Sequence, residues 1–280
     1  MSAPPGVFDA HQHYGNLLLS DAGGIETPAS GQDSRDHADL ADRIARMTAM
    51  NVDAALLMPV NRYLRPNGVA DTRAVNDALA AYQNLDRARF PCAAGITEPL
   101  HGTAGLDEIR RIREELGFVG VSYHARWQGV SADDPWIKRG LAVAGELRLI
   151  PFVHAHAESA LEAPTCVSNL ARAFPDLPIV VTDAMSTTTN YLAYLDIAER
   201  FPNLYFDTSC VLHPALLRRW AARLGTAQLI FGTDLYSGGA FYTMTGPGEI
   251  AGLGLGPEAE AAVLGANFRR LLAWTEGENR

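Results

Sequence analysis

Short, continuous apolar runs alternate along the chain with longer stretches in which apolar residues recur every three or four positions. The runs are Val7–His11, Ala54–Pro59, Cys92–Ile96, Phe118–Tyr123, Ile150–His154, Ile179–Thr182, Leu204–Asp207 and Leu229–Thr233. Runs this short, without alternating polar positions, predict parallel strands covered on both faces. The periodic stretches predict helices over Leu40–Met50, Asp71–Asn84 with Asp71 as N-cap, Thr103–Leu116 stopped by Gly117, Pro135–Leu147, Ser168–Phe174, Tyr191–Phe201, Pro214–Leu224 and Gly256–Trp274. Eight strand–helix units in 280 residues predict an α/β fold, a (β/α)8 TIM barrel forming one domain over residues 1–280. An open doubly wound sheet would carry a glycine-rich first turn, and no GxGxxG follows the first run. The longest stretch without periodicity, Gly15–Asp39, follows the first strand, where a lid over the C-terminal mouth is expected.

Composition narrows the partners. Hydrophobic residues make up 48% and charged residues 20%, which is globular and excludes a disordered chain. A net charge of −9 argues against nucleic acid and anionic membrane surfaces, both of which need a basic face. No apolar run is long enough to span a membrane, and the first residues lack a signal-peptide pattern, so a cytoplasmic protein is expected. Cys92, Cys166 and Cys210 are far apart with no CxxC, which fits a reducing compartment and excludes a thiolate zinc knuckle. Lys138 is the only lysine, so Schiff-base or carbamylated-lysine chemistry would rest on that residue alone.

A barrel carries its chemistry where the strands end. Here those ends read Asp9-Ala-His11-Gln-His13, His154-Ala-His156, Thr182-Asp183, Asp207-Thr-Ser209 and Thr233-Asp234. Four of the eight histidines fall in two HxH pairs. Residues i and i+2 of a strand share a face, so His11 and His13 can offer two imidazoles to one cation. A third imidazole from strand five and a carboxylate from strand eight would complete a nitrogen and oxygen set suited to Zn²⁺, Mn²⁺ or Fe²⁺. Tyr123-His124-Ala-Arg126 ends strand four without a lysine able to bridge two metals, which points to one metal. Arg126, with Arg62 and Arg65 after strand two, could grip a substrate carboxylate, and His124 could contact the same substrate. Tyr14, Trp127, Tyr236 and Tyr242 could stack on a planar ring. GVSYH around Ser122 is not a nucleophile elbow.

FDAHQHYG, GFVGVSYHAR, IPFVHAH, LIFGTDLY and VLGANFRRLLAW, in this order over nearly the whole chain, resemble the amidohydrolase-related proteins. That branch includes aminocarboxymuconate-semialdehyde decarboxylase and the sugar and pyrone lactonases. The resemblance implies a barrel with one divalent metal, zinc foremost, held by His11, His13, the strand-five histidine and Asp234. His154 ends its apolar run as the family ligand does, which leaves His156 as a substrate contact, an acid or base, or an alternate ligand. The chain departs from the family at strand six, where a histidine followed by glycine is usual and Asp183 stands here. Asp183 could be a ligand, an acid or base, or a strand-end hydrogen-bond acceptor.

The expected activity is metal-dependent hydrolysis of a small organic substrate, a lactone or a carboxylated ring compound. Metal-activated water would attack, Asp234 would act as general base, and His156 or Asp183 would assist. The alternative is a metal-dependent non-oxidative decarboxylase, which releases CO₂ and needs an acid to protonate carbon. A metal-free relative that only binds ligand is a third possibility, distinguished by loss of nothing when His11 and His13 become alanine. The expected partners are a small anionic substrate and a second copy of the chain in a homodimer.

Overall fold

The computed structural model describes residues 6–15, 32–60, 67–157, 159–239 and 245–277. Eight parallel strands follow one another in chain order: β1 (Phe8–Tyr14), β2 (Ala54–Pro59), β3 (Cys92–Ile96), β4 (Gly120–Tyr123), β5 (Ile150–His154), β6 (Ile179–Thr182), β7 (Leu204–Asp207) and β8 (Leu229–Ile230). The chain beyond β8 returns to β1 through Ala10 N–H to Phe231 O at 2.9 Å, Asp234 N–H to His11 O at 2.8 Å and His13 N–H to Leu235 O at 2.7 Å. These bonds close the sheet into the barrel expected from the sequence, with helices between successive strands. Among the described residues, no helix is long and apolar enough to cross a membrane.

Strand alternation divides the core in two. One cluster fills the barrel interior with Phe8, Ala10, Leu56, Met58, Ile150, Phe152, Val180, Tyr205 and Ile230, each from a strand. Phe268, on the last helix, joins it 5.2 Å from the Phe8 ring and 6.3 Å from the Phe152 ring, measured between centroids. The alternate residues Ala55, Leu57, Val121, Val153, Val181 and Phe206 face the helices in the second, larger cluster. Gly120 is required where β4 passes Phe152: a Cβ there would lie 2.6 Å from that ring and 2.7 Å from Ile150 O.

Several element boundaries differ from the sequence expectation. β1 runs on to Tyr14 because Tyr14 still pairs with Pro59, and β8 shrinks to two residues because the chain beyond it bonds to β1 instead. The first helix is Gln32–Ala49, so Gln32–Asp39 is helical rather than irregular. The rest of the expected lid, residues 16–31, lies outside the described residues. Gly68, not Asp71, caps the helix Val69–Leu85, and the Asp71 carboxylate instead accepts from Asn67 N–H at 2.9 Å and from its Nδ2 at 3.0 Å. The expected last helix Gly256–Trp274 breaks into Pro257–Ala261, a π turn Ala262–Ala266 with non-helical Gly265, and Asn267–Thr275.

Candidate metal centre

Three histidines converge on the C-terminal mouth, each held by its Nδ1. In β1, Phe8 and Ala10 point inward, and strict alternation would send Gln12 and Tyr14 inward after them. The register shifts between Asp9 and Gln12, a β-bulge that inverts the alternation and turns His11 and His13 into the mouth. His11 Nδ1 lies 2.6 Å from Asp207 Oδ2, His13 Nδ1 3.1 Å from Pro59 O, and His154 Nδ1 2.8 Å from Glu162 Oε2. An Nδ1–H donated to an oxygen leaves the Nε2 lone pair for a metal, the usual arrangement behind metal-binding histidines.

The Nε2 atoms of His11 and His13 meet Asp234. His11 Nε2 and His13 Nε2 are 2.9 Å apart, and Asp234 Oδ1 lies 3.4 Å from the first and 3.2 Å from the second. Bonds of about 2.05 Å around a tetrahedral ion give ligand–ligand edges of about 3.3 Å, so these three atoms match one face of such a sphere. Asp234 adopts φ 57, a left-handed conformation uncommon outside glycine, and its Oδ1 is buried without a hydrogen-bond partner among the described residues. His13 also stacks on Tyr236, centroids 4.4 Å apart, and the Tyr236 phenol is hydrogen-bonded to Asp234.

The electrostatics fit a cation between these groups. Burial opposes charge on His11, but the Asp207 carboxylate outweighs it and holds the imidazole up to about 10. Burial and charged His11 together push His13 well below the usual range. Burial pushes the Asp234 carboxyl well above its ordinary range, and the nearby Asp183 carboxylate adds to the effect. A divalent ion would neutralise this repulsion, so donor type, spacing and charge all fit one.

His154 stands on the other side. Its Nε2 lies 3.3 Å from Asp183 Oδ2, and its ring stacks on His124 at 3.6 Å between centroids. Glu162 has no local sequence signature and comes from a single 3-10 turn after β5. It is fully buried, and it accepts the Arg126 backbone N–H at 3.0 Å and meets His124 Nδ1 at 3.2 Å as well as His154. Burial would raise its carboxyl, but the bonds to His124 and His154 lower it to about 2. Burial, reinforced by His154, lowers His124 to about 3.

The other sequence candidates scatter. His124 stacks between His154 and Trp127, and Arg126 Nε lies 3.8 Å from Glu162 with its guanidinium over Trp127. His156 lies parallel to His154 at 6.1 Å between centroids. Arg62, Arg65 and Tyr242 lie outside the described residues. Lys138 is on an outer helix and pairs with Asp133 at 3.9 Å. Asp207, Asp9 and Ser209 were visible only as polar strand ends. Asp207 holds His11, while Asp9 accepts Thr233 Oγ1–H at 2.5 Å, Gln12 Nε2–H at 2.8 Å and the His11 and Thr233 backbone N–H groups at 3.0 Å, pinning both sides of the seam.

Solved structures share this architecture. The 5-carboxyvanillate decarboxylase of Sphingomonas paucimobilis superposes with a TM-score of 0.71 at 19% identity, covering 95% of this chain and 98% of that one. The 4-oxalomesaconate hydratase of Rhodopseudomonas palustris gives 0.71 at 17% identity, over 97% of each chain. A 5-carboxyvanillate decarboxylase of Novosphingobium aromaticivorans with bound manganese gives 0.69 at 15% identity, over 96% of this chain and 97% of that one. At these identities the likeness shows the fold. No curated protein matches the chain. The amidohydrolase sequence profile matches residues 8–274, from the first strand to the last helix, and the chain belongs to that family.

Proposed function

We propose that this chain is a metal-dependent decarboxylase of a small carboxylated ring compound. The observation that carries the metal is the convergence of Asp234 Oδ1 with the His11 and His13 imidazoles, whose Nδ1 atoms are already anchored. His11, His13, His154 and Asp234 would hold the ion. A divalent ion held there would supply Lewis acidity toward substrate oxygens.

The chain's own residues do the rest. Loss of CO₂ breaks a carbon–carbon bond and leaves the electron pair on the ring carbon, which then needs a proton. Asp234, at the mouth beside the histidines, is the group assigned to deliver that proton and to regain it from solvent. Asp207, Pro59 O and Glu162 keep the three imidazoles oriented. Arg126 is assigned to a carboxylate of the substrate, with Arg62 and Arg65 assigned on sequence alone. Two of the solved relatives above are decarboxylases, which favours CO₂ loss over addition of water. Hydrolysis of a lactone is the second reading; there Asp234 would accept a proton instead.

Metal-loaded protein incubated with a panel of hydroxylated benzoates and ring dicarboxylates tests the proposal. CO₂ release matched by loss of one carboxylate in the product supports it, and Asp234→Asn is expected to lower turnover by about 100-fold or more. Cleavage of a ring ester with uptake of water and no CO₂ decides for hydrolysis.

A further inference from the structure

Asp183 occupies the strand-six position at which the chain departs from its family, and the fold turns it inward against the alternation of its strand. Val180 faces the barrel interior and Val181 the helices, so Asp183 would fall on the helix side. A left-handed backbone, φ 60, redirects it to the mouth, the same device that places Asp234 at φ 57. A residue other than glycine held there costs about 1 kcal/mol or more, which the surroundings must offset. The fixing contacts are present. Asp183 N–H donates to Asp207 Oδ1 at 3.0 Å, and Ser209 Oγ–H donates to Asp183 Oδ1 at 2.6 Å.

With Oδ1 committed to Ser209, Oδ2 is presented to His154 Nε2 at 3.3 Å, the edge length found between the other donors. Carboxylate oxygens of Asp183 also lie within 4.8 Å of a ring nitrogen of His11 and of an Asp234 oxygen. Asp183 thus joins His154 to the cluster of His11, His13 and Asp234. The Asp234 Oδ1 atom, buried and without a hydrogen bond among the described residues, faces the same space.

Resting on the metal-dependent reading above, we propose that Asp183 is a fifth ligand, so that three imidazoles and two carboxylates surround the ion. The set is neutral toward a divalent cation. It exceeds the four positions of tetrahedral zinc and adds a hard oxygen, which shifts the preference toward a five- or six-coordinate ion such as Mn²⁺.

The test measures Mn²⁺ and Zn²⁺ affinity by competition with a chelating dye, and records the Co²⁺ absorption spectrum, for the wild type, Asp183→Asn and Asp183→His. In Asp183→Asn, Mn²⁺ affinity is expected to fall by about 10–100-fold or more and Zn²⁺ affinity by a smaller factor. The Co²⁺ bands should strengthen as coordination drops toward four. Asp183→His should recover Zn²⁺ affinity better than Mn²⁺ affinity. Unchanged affinities, within about twofold, and an unchanged Co²⁺ spectrum in Asp183→Asn overturn the proposal while leaving the metal reading intact. A wild type that binds none of these ions overturns both. If Asp183→Asn does not fold, a crystal structure of the wild type grown with Mn²⁺ decides. An Asp183 oxygen at about 2.0–2.2 Å from the ion supports ligation, and one beyond about 3.5 Å rejects it.

Discussion

Arg43 ties together the two chain segments that carry three of the proposed ligands. It reaches from the helix Gln32–Ala49 and is only 1% exposed. Nη2 donates to His13 O at 2.8 Å and Ser237 Oγ at 3.2 Å, and Nη1 donates to Gln12 Oε1 at 3.0 Å and Leu235 O at 3.4 Å. Nε donates to Tyr82 Oη at 3.2 Å and to Asp39 Oδ2 at 3.3 Å. Arg43→Met would keep most of the volume and strip these donors. Two carbonyls and an amide oxygen would lose a partner in a region water reaches poorly, and Asp39, 13% exposed, would lose its cation. Removing one partner of a buried charged network costs about 3–5 kcal/mol. At roughly 2–4 °C per kcal/mol, the melting temperature should fall by about 6–20 °C. Arg43→Lys keeps the charge without the fork and should fall about halfway. Because β1 and the segment after β8 would loosen, metal affinity should also fall about tenfold or more in Arg43→Met. Thermal melts of the metal-free protein, with a metal titration alongside, measure both. An Arg43→Met protein that melts within about 2 °C of the wild type would refute the reasoning.

Glu162→Gln keeps the shape but removes the charge that orients His154 and His124, so metal affinity should drop about 10–100-fold with the fold intact by circular dichroism. Gly232→Ala would set a Cβ 2.9 Å from His11 Cβ and 3.1 Å from Asp207 Oδ2. Overpacking of this kind costs about 1–3 kcal/mol, and here it should also weaken metal binding; a variant that binds metal like the wild type would show that the His11–Asp207 spacing is tolerant. The metal-free protein should lose stability at both ends of the pH scale. His11, raised to about 10 from 6.5, contributes stability that is complete below 6.5 and lost as pH rises toward 10. Glu162, lowered to about 2 from 4.5, contributes stability that is complete above 4.5 and lost as pH falls toward 2. A bound ion replaces the His11 proton, so adding Mn²⁺ should abolish the alkaline loss in a series of melts, and an alkaline limb unchanged by metal would count against His11 as a ligand.

The barrel was legible because each strand reads as a short apolar block, and hydrophobicity alone marks where it begins. The mouth was legible because histidine is scarce and falls just after those blocks at His11, His13 and His154. The supports of these residues were not. Glu162 reaches His154 from a 3-10 turn eight residues further along the chain, and Arg43 reaches the seam from a helix predicted to start later. Neither contact has a local signature, because each depends on how a loop or helix docks against a strand from elsewhere. Strand-face arithmetic gave the right pairing of His11 with His13, but could not show that a bulge was needed to turn both inward.

That failure of alternation locates the chemistry. Along the strands the interior passes from apolar to polar at the same end: Ala10 to His11, Phe152 to His154, Val180 to Asp183, Tyr205 to Asp207, Ile230 to Asp234. At β5 and β7 the ordinary two-residue period makes the change. At β1 a bulge makes it, and Asp183 and Asp234 both carry left-handed backbone. A fold selected for stability alone would continue the apolar layers to the rim, since each buried carboxyl costs free energy that a packed leucine does not. Irregular backbone is instead used to bring carboxylates beside imidazoles in a buried mouth, an arrangement whose charges a cation would balance. Departures from the regular pattern that accumulate at one end of a barrel, and converge on one point, are the physical signature of a site.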